Sequence, residues 1–243
     1  MQAFQPAQLG ALEKILRQAS SFALDWCMRR SDLSIDEKSM GQFATNVDLE
    51  LETLIRDLLS QHYPGTAIIG EEYGGSLSGG QSGWAIDPID GTTNFIMGLP
   101  IWGVSIGYIE NGRSVAGAVA LPELGIALSA AKGTGLRILS PASLKPSGAP
   151  PVKTMAIGEN DYEPGPVTDE RAQHYRDKDY SVVRYRCAVF SLTMAALGRL
   201  SGYIEYGCGL WDIAAAEIIC REAGLKVQSS EIAPGRYAID AQW

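Results

Sequence analysis

The chain has 243 residues, 46% of them apolar and 20% charged, an ordinary globular composition long enough to bury a sizeable core in one domain or two closely packed halves. Its formal charge of −8 and pI near 4.8 argue against a nucleic-acid backbone or an anionic membrane as partner, while locally bound cations would still admit a small anionic substrate. No run reaches the apolar length of a membrane span and the first residues lack the pattern of a signal peptide, so a cytoplasmic protein is expected.

Apolar residues at helical spacing (Leu9, Leu12, Ile15, Leu16, Ala19, Ala23) predict a first helix within residues 5–30. A polar stretch follows from Ser31 to Gln42. Leu51, Leu54, Ile55, Leu58 and Leu59 predict a second helix from Asp48 to His62, stopped by Tyr63-Pro64-Gly65. TAIIG is a short strand, Tyr73 to Gly83 is a Gly/Ser-rich loop, and WAID is the next strand. IWGVSIGYIE and RSVAGAVAL flank Asn111-Gly112, a strong hairpin signal, and IALSAA continues the antiparallel meander. Pro141 to Pro151 reads as a connection between an N-terminal half (1–145) and a C-terminal half (146–243). The latter alternates strands near 154, 180, 202, 225 and 237 with helices near 168, 189 and 212. Such mixing indicates a layered α+β fold with largely antiparallel sheets.

Histidine is scarce, with only His62 and His174, and the four cysteines (Cys27, Cys187, Cys208, Cys220) form no metal-type spacing, so free thiols are expected. Any catalysis must therefore rest on carboxylates and metals rather than imidazole. The segment Trp84 to Phe95, WAIDPIDGTTNF, places Asp87 and Asp90 at a strand end. Alone, Asp-Pro and Asp-Gly describe a turn. Three further acidic sites have the same local character: Glu71 after TAIIG, Asp48 at the head of the second helix, and Asp212 at the head of a later one. Each has a structural reading, as a helix-start acid or a strand-end charge. Convergence of all of them would require cations, and hard oxygen ligands suit Mg²⁺ or Mn²⁺. Gly91-Thr92-Thr93 adds close backbone approach and free N–H groups for a phosphate.

WAIDPIDGTTNF, with FATNVD and GEE before it and SIGYIENG, AALGRLSGYIE and WDIAAAE after it, resembles the inositol monophosphatase family of Mg²⁺-dependent, lithium-sensitive phosphatases over nearly the whole chain. The resemblance implies the layered αβαβα sandwich shared with fructose-1,6-bisphosphatases, the N-terminal half carrying most of the metal site and the two halves forming one catalytic unit. It further implies metal binding by Glu71, Asp87, Asp90, Asp212 and the Ile89 carbonyl, with roughly two or three Mg²⁺ per site and Mn²⁺ able to substitute. Thr92, supported by Asp48 or Glu71, would activate water, and the Gly91 and Thr92 N–H groups would hold the phosphate of a small metabolite. Lys38 matches a lysine often found near the site, a solvated surface lysine being its plain alternative. Homodimers are common among such proteins.

The match departs at Arg186, Cys187, Ala188 and Val189, which stand where many members have Gly-Ser/Thr-Ala-Ala. Arg186 brings bulk and a fixed charge, which suits either a second anionic group on the substrate or a surface ion pair. Glu205 matches an acid that contacts the alcohol part, or is a strand-end surface charge. Histidinol phosphate, sugar phosphates and nucleotide-derived phosphates are alternatives to an inositol phosphate. The stretch after Gly224 is short for the family. Two readings of other classes are a serine esterase using Ser105 in Gly103-x-Ser105-x-Gly107, with His174 its one downstream histidine, and a non-catalytic binding protein on the same fold.

Overall fold

A computed structural model describes residues 4–39, 42–77, 81–141 and 143–243. Parts of the predicted segments at 31–42, 73–83 and 141–151 lie outside the described residues. Helix α1 (Leu9–Cys27) buries the predicted stripe, with Leu9, Leu12, Ile15, Leu16, Ala19 and Ala23 almost inaccessible to solvent. Burial of each large member stabilises the fold by about 1.5–3 kcal/mol. The segment expected to be merely polar carries strand β1 (Ile35–Ser39), which pairs antiparallel with β2 (Gln42–Thr45). Charged, exposed residues in β1 conceal the alternation that would mark a strand. Thr45 then caps α2 (Asn46–His62): its hydroxyl accepts from Val47 N–H, and Asp48 accepts from Thr45 N–H.

β3 (Ala67–Gly70) runs parallel to β4 (Gly83–Asp90), and β5 (Gly103–Glu110), β6 (Arg113–Leu121), β7 (Ile126–Ala131) and β8 (Arg137–Ser140) extend the sheet antiparallel in the order β3-β4-β5-β6-β7-β8. β8 was not signalled by the sequence. Asn111 and Gly112, at φ 50° and 71°, make the predicted hairpin. Between β4 and β5, a short helix α3 (Thr92–Ile96) follows the aspartates. The second sheet contains β9 (Thr154–Ile157), β10 (Ser181–Val183), β11 (Gly202–Cys208), β12 (Lys226–Ala233) and β13 (Arg236–Gln242), in the order β10-β9-β11-β13-β12. Helices α4 (Gly165–Arg176), α5 (Ala188–Ala196) and α6 (Leu210–Ala223) complete the chain.

The layers are α1 and α2, the six-stranded sheet, α5 and α6, the five-stranded sheet, and α4 outside. This is the expected αβαβα sandwich. α6 lies between two sheets, and Ile213 through Cys220 are all buried, as an all-round apolar helix requires. Its close approach to the first sheet depends on glycine: a Cβ at Gly107 or Gly117 would run into the backbone of Ala214 and Ala215. Among the described residues no helix is long and apolar enough to cross a membrane, and the four cysteines are free thiols.

Candidate active site

The cleft begins with an irregularity in β4. Asp87 pairs with Ser105 and Asp90 with Gly103, so three steps on β4 oppose two on β5. The extra residue is a bulge at Pro88-Ile89, where proline's missing N–H costs no ladder bond. The bulge frees the Ile89 carbonyl, which accepts from the Thr92 hydroxyl at 3.0 Å. Gly91 adopts φ 86°, and a Cβ there would crowd Ile101 and Cys187, so the turn into α3 needs glycine.

Asp87 is 1% exposed. Its Oδ1 accepts from Ile89 N–H at 2.9 Å, and its Oδ2 is buried without any partner. Asp90 Oδ2 accepts from Val189 N–H, in the first turn of α5, and from the Cys187 thiol at 3.1 Å. Asp48 is completely buried; Oδ2 accepts from Thr45 N–H at 2.8 Å, and Oδ1 accepts from the Thr92 hydroxyl at 3.3 Å. Asp212 is held at the head of α6 by Gly209 N–H at 2.6 Å. The Asp48 and Asp212 carboxylates and the Asp90 contact thus lie at the positive ends of three helices, which partly offsets their repulsion.

Glu71 sits in the turn after β3, and one oxygen each from Glu71, Asp87 and Asp212 lie within 4.8 Å of one another. Burial and the neighbouring acids push Asp87 and Asp212 well above the ordinary carboxylate range. Burial, resisted by their hydrogen bonds, pushes Asp48 and Asp90 up to about 7. An orphaned buried carboxylate oxygen beside two further carboxylates is a donor set completed by a cation, and its all-oxygen character fits Mg²⁺ or Mn²⁺. The Ile89 carbonyl lines the same cleft.

The cleft is a cavity of about 380 Å³, large enough for a small metabolite. Glu71, Asp87, Ile89, Asp90, Gly91, Thr92, Arg186, Glu205 and Asp212 all line it. Asp48 stands behind Thr92. Lys38 Nζ lies 3.1 Å from Glu71 Oε1 and 2.6 Å from Glu72 Oε1, so it is paired rather than merely solvated. Burial lowers the Lys38 ammonium, but the two glutamates more than offset this and leave it above the ordinary lysine value. Glu205 is no surface charge: it is 6% exposed on β11, held by Tyr203 and by Asn160 at 2.9 Å, and burial raises its carboxyl. Arg186 adopts φ 53°, the left-handed conformation that glycine favours. Cys187, whose thiol meets Asp90, was not singled out from the sequence except as a departure.

The esterase geometry is absent. Ser105 is buried in the middle of β5, its hydroxyl donating to the Trp211 carbonyl at 3.0 Å, and no strand–turn–helix elbow forms. Gly103 and Gly107 serve packing instead, and among the described residues no histidine lines the cleft.

A model of the inositol monophosphatase family matches residues 5–236. The chain belongs to the inositol monophosphatase family. Members of this family are metal-dependent phosphatases of phosphate monoesters, in keeping with the acidic cluster. The chain is 36% identical over 240 residues to the uncharacterized protein y4fL of Sinorhizobium fredii, covering 96% of this chain and 84% of that protein. It is 36% identical over 194 residues to inositol-1-monophosphatase SuhB of Mycobacterium tuberculosis, covering 75% and 67%. The extragenic suppressor protein suhB of Bartonella henselae has the same fold, with a TM-score of 0.82 at 23% identity over 96% of this chain and 93% of that one.

Proposed function

We propose that the chain is a Mg²⁺-dependent phosphatase that hydrolyses a small phosphate monoester by direct attack of water. The observation that carries this reading is the meeting of Glu71, Asp87 and Asp212, from three separate segments, together with a buried Asp87 oxygen that has no hydrogen-bond partner. Glu71, Asp87, Asp90, Asp212 and the Ile89 carbonyl would hold the cations. When bound, divalent ions would neutralise the carboxylates and stabilise charge on the phosphoryl group, where most of the catalysis of so slow a reaction must arise.

The remaining roles belong to the chain. Thr92 Oγ, its proton shared between Asp48 and Ile89, can take a proton from the attacking water as it passes its own to Asp48. A buried carboxyl held near neutrality suits that transfer. Gly91, without a side chain, lets the phosphate reach the Gly91 and Thr92 N–H groups. The leaving alcohol lies toward Glu205 and Arg186, on the C-terminal half, so that 1–145 and 146–243 act as one catalytic unit. Arg186 on the cleft wall favours, as a second reading, a substrate with a further anionic group. Lithium sensitivity and a homodimeric assembly, which family membership suggests, complete the proposal.

The test is phosphate release from inositol 1-phosphate, histidinol phosphate, fructose 1,6-bisphosphate and adenosine 3′,5′-bisphosphate, with Mg²⁺ and with chelator. Asp87→Asn and Asp212→Asn should each lower kcat/KM at least about a thousandfold, or about 4 kcal/mol. Both should stay folded, since each removes a crowded buried charge. Full activity in either variant, or in chelator, would refute the assignment, and no phosphate release from any of these esters with Mg²⁺ would favour a binding protein on this fold.

A further inference from the structure

Glu52 lies one helical turn after Asp48 on α2 and is completely buried. A carboxylate so placed is costly unless every oxygen is satisfied. Its partners are, apart from Arg56, confined to one turn. Oε2 accepts from Glu72 N–H at 2.8 Å, and Oε1 accepts from Tyr73 N–H at 3.2 Å and from Arg56 Nε at 2.8 Å. Arg56, the next residue on the same face of α2, sends its other nitrogens to the carbonyls of Gly74 at 2.8 Å and Ile68 at 3.4 Å. An anion and a cation from one helix therefore hold the backbone of a single turn, Arg56 reaching also to Ile68 in β3.

That turn carries Glu71. On one side of it, Gly70 leaves the space the Glu52 carboxylate occupies, since a Cβ there would run into that carboxylate. On the other side, Glu72 donates its N–H to the same group. The backbone flanking Glu71 is thus set by Glu52, and the same helix positions Asp48 against Thr92. One helix thus anchors both the Thr92–Asp48 pair and the turn that carries Glu71.

We propose that Glu52, assisted by Arg56, is a positioning residue that aims Glu71 at Asp87 and Asp212 for divalent-cation binding. This rests on the metal-site reading above, and the experiment separates the two. Mg²⁺ alone is titrated calorimetrically into the full chain and into Glu52→Gln, Glu71→Gln, Gly70→Ala and Glu13→Gln. Glu13 is a second buried carboxylate, held by Ser129 and Arg137 away from the cleft. Glu52→Gln should weaken Mg²⁺ binding about 10- to 100-fold, the usual effect of losing a group that orients a ligand. Glu13→Gln should lower thermal stability as Glu52→Gln does, but leave Mg²⁺ affinity unchanged. Gly70→Ala, which keeps Glu52 but displaces its carboxylate, should weaken binding in the same direction. Combined with Glu52→Ala and titrated beside that single variant, it should add little, since there is then no carboxylate to displace. If Glu52→Gln does not fold, Gly70→Ala decides. Parental affinity in a folded Glu52→Gln or Gly70→Ala, with affinity lost in Glu71→Gln, overturns the positioning role alone. Parental affinity in Glu71→Gln as well overturns the metal-site reading and this proposal with it.

Discussion

At Asp87 the structural and functional readings of one residue coincide. One oxygen closes a local turn onto Ile89 N–H, and the other is left buried and unpartnered. A turn-forming aspartate needs only the first, so the second is what sets this residue apart from an ordinary Asp-Pro turn. Asp48 divides its oxygens in a related way, Oδ2 fixed by Thr45 and Oδ1 turned to Thr92, whereas Asp90 receives both Val189 N–H and the Cys187 thiol on one oxygen. Arg186 shows the opposite tension, a long charged side chain on a left-handed backbone that costs about 1–2 kcal/mol for a residue with a Cβ. Arg186→Gly relieves that strain but frees the unfolded chain, so unfolding in urea should place it within about 1 kcal/mol of the parent. If Arg186 receives a second anion, its loss should raise KM for a doubly phosphorylated substrate and leave a singly phosphorylated one unchanged. Equal changes for both would remove that second reading.

Elements place these residues through small irregularities. The bulge in β4 turns the Ile89 carbonyl out of the ladder, and α2 and α6 each deliver an aspartate from the first turn. The position of Asp212 follows from how deeply α6 can seat on the first sheet, which Gly107 and Gly117 decide. Gly117→Ala should therefore cost about 1–3 kcal/mol by overpacking, lowering the melting temperature by several degrees. It should also weaken Mg²⁺ binding, because lifting α6 moves Asp212 away from Glu71 and Asp87. A destabilised variant with parental Mg²⁺ affinity would show that the site tolerates movement of α6.

Across the whole molecule, two sheets and three helix layers bring together acids whose mutual repulsion the fold must tolerate. Asp48 and Asp90, held at about 7, bind protons more tightly in the folded than in the unfolded chain, where an aspartate titrates near about 4. Their contribution to stability is fully present below the unfolded value and is lost as pH rises through the folded one. Asp87 and Asp212 act in the same direction. In chelator, the melting temperature should fall between about pH 5.5 and pH 8. Added Mg²⁺ should restore it, with the largest gain at the highest pH, where the carboxylates are free to bind. A melting temperature that is flat over this window, or indifferent to Mg²⁺, would contradict the crowding of charge on which the proposed activity depends.

Much of this was legible in the chain itself. Helical spacing marked α1 and α2, Asn111-Gly112 marked the hairpin, and WAIDPIDGTTNF with its distant companions marked the family, because each signal is local or tied to a motif of fixed spacing. β1 and β8 escaped notice, being short and largely exposed or half-exposed, with too few residues to show an alternation; in β8 only Ile138 and Leu139 reach the core. For Glu205 the sequence left a surface charge and a pocket acid equally open, and only the packing of β11 against the Asn160 segment buried it. Glu52 carried no signal at all, and Cys187 only that of a departure from the family pattern: a glutamate on an amphipathic helix and a cysteine before an apolar run look alike whether they face water or a neighbouring turn. Residue types and their spacing determine which elements form. Which carboxylates end up a few ångströms apart depends on how those elements pack, and that is a property of the folded molecule alone.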